Sequence, residues 1–399
     1  MTWLATPVAH GLMALGVARL ARRVHAADSR SEAGESAAAG LIAAVAASVG
    51  ASALLNAASR FPHTLVAACF VWSIEAACVV TARTAPVRHP SLWGAVLGLS
   101  MGWMLSTRPA DGLLLGAAVF AYLALASVRG RLPRPAMISA ALTACLVLGA
   151  TLVILRLQLG AWLETGYSLT ETLRPWAKLK LGAPSPADFA LSLPLDTGSY
   201  CWWPCAPALG VAGLLAVRRP ARGAARMLAS GAALLFGFYY FVNYPREHYW
   251  GAGPRYQLPA IAAMAVGGGH LLAPLWTSVR RGRFLPFTLA AFAMLVGTAF
   301  LATRIYPAAR AEARSRSAPL RAIARDGIHH AVVVVAFREV EAYPTSLTQN
   351  LATYRDPDVL VLFERSAAAR RCIEDAYPDR AIYRARGRQR VTLLIERAR

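Results

Sequence analysis

The sequence predicts an all-α polytopic membrane bundle of about ten transmembrane helices, followed by a small C-terminal α/β domain. Three observations carry this. Only 16% of the 399 residues are charged and 56% are hydrophobic, whereas a soluble domain is near a quarter charged. The apolar residues come in blocks of roughly 17–23, the length of helix that crosses about 30 Å of hydrocarbon. After Pro307 the apolar runs shorten, and Arg, Asp and Glu become common. The predicted division is therefore a transmembrane region over 1–305 and a second domain over 306–399.

The predicted spans are 2–18, 37–58, 63–82, 91–107, 110–128, 136–155, 204–217, 227–243, 257–279 and 284–305. Each is expected to be helical, because a helix satisfies its own backbone hydrogen bonds in lipid. The connecting segments alternate in charge. One set holds Arg19, Arg22, Arg23 and Arg30, then Arg83 and Arg88, then Arg129, Arg131 and Arg134, then Arg218, Arg219, Arg222 and Arg226, then Arg280, Arg281 and Arg283. The other set is poorer in bases and includes Arg60, Arg108, the long 156–203 segment, Arg246 and Arg255. The basic set is assigned to the cytoplasm. The 156–203 and 244–256 loops, both termini and the C-terminal domain are then expected to face outward, in the periplasm of a bacterial inner membrane. An outward Met1 placed almost directly on a span, with no basic flank and no signal peptide, predicts that a preceding span is missing from this chain.

The net charge of +21 does not indicate nucleic acid. The arginines flank apolar blocks or lie in the tail, and no stretch interleaves bases with aromatics as a single-strand binder does. Cys69, Cys78 and Cys145 lie inside apolar blocks and read as small hydrophobes. Cys201 and Cys205, in CWWPC, match no zinc spacing and form a disulfide only if their loop faces an oxidising compartment. No cofactor motif and no cluster of metal ligands is visible, so neither is expected.

In the C-terminal region AVVVVAF (331–337), DVLVLFE (358–364) and VTLLIE (391–396) read as buried strands, and 318–326 and 366–376 as helices. No glycine-rich loop follows a strand, so no nucleotide site is expected there.

Several residues carry potential chemistry. Glu75, within the span 63–82, is expected to face the bundle and pair with a base or hydroxyl, with a proton pathway as the functional alternative. Arg108 and Asp111 lie in LSTRPADGLLLG, a tight outward turn. They read either as a snorkelling arginine with an aspartate helix cap, or as a base meeting a phosphate headgroup. The densest cluster is YYFVNYPREHYWGAGPRYQLPA, residues 239–260. Its tyrosines and tryptophan suit a membrane-interface belt, but a belt does not need Arg246, Glu247, His248 and Arg255 beside it. Arginine forks bind phosphate, and aromatic faces suit sugar rings. The 156–203 loop carries Glu164, Tyr167, Glu171 and Arg174, and reads as an interfacial cover or a functional loop.

At these residues the chain resembles the GT-C superfamily of polytopic glycosyltransferases, near the protein O-mannosyltransferase and lipid A aminoarabinose transferase group. Carrying the resemblance are the GLSMGWMLSTRPADGLLLG hairpin, the GY-containing outward loop, the WWP before span 204–217, and the GPRYQLPA before span 257–279. It implies transfer of a sugar from a polyprenyl-phosphate donor to a lipid, glycan or protein acceptor at the outer membrane face, with membrane lipids around it. It implies donor contacts at Arg255, Tyr256, Arg246, His248, Arg108 and Asp111, with Glu164 and Tyr167 on the outward loop. Family members carry an acidic base in the first outward loop. That loop and the span before it have no counterpart here, so no residue of this chain is assigned the base role. The alternatives from other classes are a lipid-linked-sugar transporter or flippase, which predicts inverted repeats, and a non-catalytic membrane scaffold.

Overall fold

The computed structural model describes residues 2–27, 34–49, 63–82, 87–159, 162, 206–218, 221–241, 257–282, 284, isolated positions between 288 and 310, 318–336, 358–364, 367–388 and 392–397. The chain forms two compact units, Met1–Ile305 and Tyr306–Arg399.

The first unit is helical: α1 (Thr2–Ala26), α2 (Glu35–Val49), α3 (His63–Val80), α4 (Pro90–Thr107), α5 (Pro109–Val128), α6 (Arg134–Leu159), α7 (Ala206–Ala216), α8 (Arg222–Phe241), α9 (Leu258–Leu272) and α10 (Pro274–Arg280). Among the described residues, four helical stretches are long and apolar enough to cross a membrane: α3, α5, most of α6, and α9 continued through α10 to Val279. α3 is the centre of the bundle and packs against α1, α4, α5, α8 and α9. It is apolar all round, and a helix of that kind must be enclosed by others; Phe70 and Ile74 are fully buried. α6 has the opposite character. It packs on α4, while Ile138, Leu142, Leu146 and Leu157 stand exposed, a surface suited to hydrocarbon. The α4–α6 contact is close because small residues line it. A Cβ added at Gly98 would lie 2.0 Å from the carbonyl oxygen of Ala140, so the two backbones approach as small-residue membrane crossings do.

One predicted span is corrected. The first helix does not stop near residue 18 but continues to Ala26. Arginine is a good helix former, and Arg23 is held on the bundle by Glu75 of α3, as described below. The predicted span 257–279 is matched by α9 and α10 together, Leu258–Val279; the two helices join at Ala273, whose backbone stays helical, where Pro274 has no N–H to continue the ladder. Most of the predicted span 284–305 lies outside the described residues.

The second unit contains α11 (Ala318–Arg325), β1 (Ala331–Ala336), β2 (Val359–Glu364), α12 (Ala367–Ala376), β3 (Ala381–Arg388) and β4 (Thr392–Arg397). The strand order is β2-β1-β3-β4. β1 pairs in parallel with β2 (Val333 opposite Val361) and with β3 (Val333 opposite Tyr383), and β4 closes on β3 antiparallel. Alternation along β1 feeds two small cores. Val333 joins Ile323, Ile328 and Val361, while Val332 and Val334 join Leu360 and Ile382. β3 is a strand the sequence reading passed over, because Arg384, Arg386 and Arg388 leave it no apolar run.

Candidate functional site

Four helices bring one polar cluster together. α4 ends and α5 begins at Arg108, whose backbone leaves the helical region (φ −147, ψ 89) before Pro109 opens the next helix. Proline cannot continue the first helix but suits the first turn of the second. The turn closes tightly because Gly112 lies against the last turn of α4. A Cβ there would meet the backbone nitrogen of Leu105 at 2.7 Å. The hairpin sets Arg108 and Asp111 three residues apart on one side, facing the first residue of α3 and the last turn of α8.

Each nitrogen of the arginine fork donates to a protein group. Its Nε donates to Oδ2 of Asp111. Nη1 donates to Nε2 of His63 at 2.8 Å, and Nη2 donates to the Tyr239 hydroxyl at 2.8 Å. That hydroxyl in turn donates to Oδ1 of Asp111. Since arginine can only donate, His63 accepts at Nε2 and is held as the neutral tautomer protonated on Nδ1. Arg108 is 9% exposed and Asp111 1%. The pair is thus an enclosed, hydrogen-bonded ion pair, neither a snorkelling arginine nor a helix cap; no side chain caps α5 at Arg108. His63 and Tyr239 are the members sequence reasoning missed. Tyr239 was named within the 239–260 cluster but not singled out from its other aromatics, and His63 lay unremarked at a span start. The other residues singled out, Arg246, His248, Arg255 and Tyr256 and the loop residues Glu164 and Tyr167, lie outside the described residues.

α9 begins at Leu258, with Gln257, the residue after Tyr256, at its N-cap. α9 packs against both α3 and α8. The N-termini of α3, α5 and α9 therefore lie at the end of the bundle that holds Arg108, and helix N-termini favour anions.

The opposite end has its own polar groups. Glu75 is 1% exposed and accepts two bonds from Arg23, at 2.9 Å from Nε and 2.7 Å from Nη2. Nε of Arg19 lies 3.5 Å from the same carboxylate. Glu75 is thus paired structurally, as one of its two sequence readings expected. Further along, His25 of α1 lies with Nδ1 3.1 Å from Nδ1 of His270 and Nε2 3.3 Å from Glu35. No group of metal-ligating side chains is present among the described residues.

No family model matches the sequence, and no curated protein matches it. Solved structures do match by shape. ArnT from Cupriavidus metallidurans bound to undecaprenyl phosphate superposes with a TM-score of 0.59 over 98% of this chain and 75% of that one, at 15% identity. The same protein in the apo state gives 0.53 over 94% and 74%, also at 15% identity. The chain therefore shares the fold of ArnT.

Proposed function

We propose that the chain transfers a sugar from a polyprenyl-phosphate-linked donor to a lipid, glycan or protein acceptor. The reaction takes place at the outer face of a bacterial inner membrane, with about ten crossings and a periplasmic C-terminal unit. The observation that carries this is the enclosed Arg108–Asp111–Tyr239–His63 network at one end of a bundle with the ArnT fold. ArnT is the protein whose matching structure holds undecaprenyl phosphate.

Transfer breaks the bond between the anomeric carbon and the donor phosphate oxygen, and forms one to an acceptor hydroxyl that loses its proton. Charge accumulates on the leaving phosphate, so fixed positive potential there is the main catalytic need. The converging helix N-termini supply part of it. Arg255 and Arg246 supply the fork, with His248 and Tyr256 beside them on the segment that joins α8 to α9. Glu164 and Tyr167 belong to the loop that meets the acceptor. Arg108 acts by position. Its bonds are spent inside the protein, where they fasten the α4–α5 hairpin to α3 and to the end of α8, from which the 239–260 segment departs.

The test is turnover by the purified chain in liposomes carrying undecaprenyl-phosphate sugars and cell-envelope acceptors. The expected result is acceptor-dependent release of undecaprenyl phosphate, abolished by Arg255→Ala with the protein still folded. Movement of the sugar lipid across the bilayer without its consumption would instead support a flippase.

A further inference from the structure

We propose that Gln257 and Thr64 form a subsite that reads hydroxyl groups of the donor's sugar, distinct in task from the groups that hold its phosphate. This rests on the donor reading above. Gln257 occupies the N-cap of α9, a position that favours Ser, Thr, Asp or Asn because a short side chain can reach back to the helix N–H groups. Gln257 makes no such cap bond. Its side-chain oxygen is buried and has no hydrogen-bond partner among the described residues, although the residue is only 9% exposed. On the adjoining helix, Thr64 is fully buried in the second position of α3, and its hydroxyl also has no partner among the described residues.

Roughly nine in ten or more buried polar groups are hydrogen-bonded in folded proteins. Here two orphans sit at the starts of neighbouring helices, both at the end of the bundle that holds the Arg108 network. Neither polar atom gives the fold a hydrogen bond among the described residues. Their chemistry selects the ligand. An amide oxygen accepts and cannot donate, so it repels a phosphate oxygen and requires a donor. The threonine hydroxyl can accept from one partner and donate to the next. A carbohydrate hydroxyl is both donor and acceptor and matches the pair. A helix N-terminus beside them keeps the phosphate near, while the two side chains report on what the phosphate carries.

The test compares wild type with Gln257→Leu and Thr64→Val for binding of undecaprenyl phosphate alone and of a panel of undecaprenyl-phosphate sugars (a hexose, an N-acetylhexosamine and a pentose). Wild type should bind one of the sugar lipids more tightly than the bare lipid phosphate. Each variant should lose roughly 2–10-fold of affinity for that sugar lipid, the range for one neutral hydrogen bond, with affinity for undecaprenyl phosphate unchanged. Thermal stability should be unchanged or raised, because an apolar side chain replaces an unsatisfied polar one. A structural role would show the reverse, a loss of stability without a change in the affinity ratio. Equal losses for both ligands, no loss for either, or a wild type with no preference for any sugar lipid overturns the proposal. A wild type that binds neither ligand overturns the donor reading itself.

Discussion

Replacing Asp111 by Leu removes the carboxylate that both Arg108 Nε and the Tyr239 hydroxyl use. Arg108, only 9% exposed, then loses the carboxylate it is paired with. Breaking an enclosed ion pair from one side costs about 3–5 kcal/mol. Arg108→Met, which strands the carboxylate instead, should cost a similar amount. The double variant removes both charges and keeps their volume. What remains lost is the bond from Nη1 to His63 and that from Nη2 to Tyr239, each worth about 1–1.5 kcal/mol. The double variant should therefore be more stable than either single one, with a coupling of about 3 kcal/mol or more. SDS titration of the purified protein in mixed micelles, followed by tryptophan fluorescence, measures all four corners of the cycle. Additive losses in the double variant would mean that Arg108 and Asp111 do not act as a pair, and the account of the hairpin would be wrong.

Tyr239→Phe should cost roughly 1–3 kcal/mol in the same titration, since it deletes one donated and one accepted bond. Glu75→Gln should cost less than Asp111→Leu, about 1–2 kcal/mol, because its partners Arg19 and Arg23 have side chains 44% and 37% exposed and can reorient toward polar surroundings. Gly98→Ala should lower the melting temperature by forcing α4 and α6 apart, at about 1–3 kcal/mol. Gly149→Ala, with nothing within 4 Å of the added carbon, should be neutral or slightly stabilising. In the second unit the backbone N–H of His330 and the side chain of His329, at 2.7 and 2.6 Å, hold the Asp358 carboxyl below the usual carboxylate range. A depressed carboxyl contributes stability above its ordinary value near 3.9 and loses that contribution as pH falls through its folded value. Hydrogen exchange of 331–336 in the full chain should speed up below about pH 4, and Asp358→Asn should flatten that dependence.

The helices that position the site were legible because their signals are local. Apolar block length and the Pro109 break place α3, α4 and α5 within a residue or two of their observed bounds. The site itself is not local. Tyr239 reaches Asp111 across 128 positions and Arg108 reaches His63 across 45, and no spacing rule links such residues. A signal was nevertheless present. His63 and His270 fall inside predicted spans, where an ionisable group needs a reason, and both proved to belong to polar clusters. The alternation in β3 was masked by charge: Ile382 packs inward while the arginines around it erase the apolar run that marked β1 and β2. The end of α1 was misjudged for a related reason. Arg19 and Arg23 read as a flank past the helix, yet they lie on it because Glu75 gives them a partner.

We propose above that the end of the bundle holding Arg108 receives a polyprenyl phosphate. The most direct test is photo-crosslinking of the purified protein with a diazirine-bearing undecaprenyl phosphate, followed by peptide mapping. The account predicts adducts on the peptides around His63, Arg108–Gly112 and 239–260, reduced by competition with undecaprenyl phosphate. Adducts confined to the opposite end, around Arg23, Glu35 and His270, or labelling that the competitor does not reduce, would contradict it.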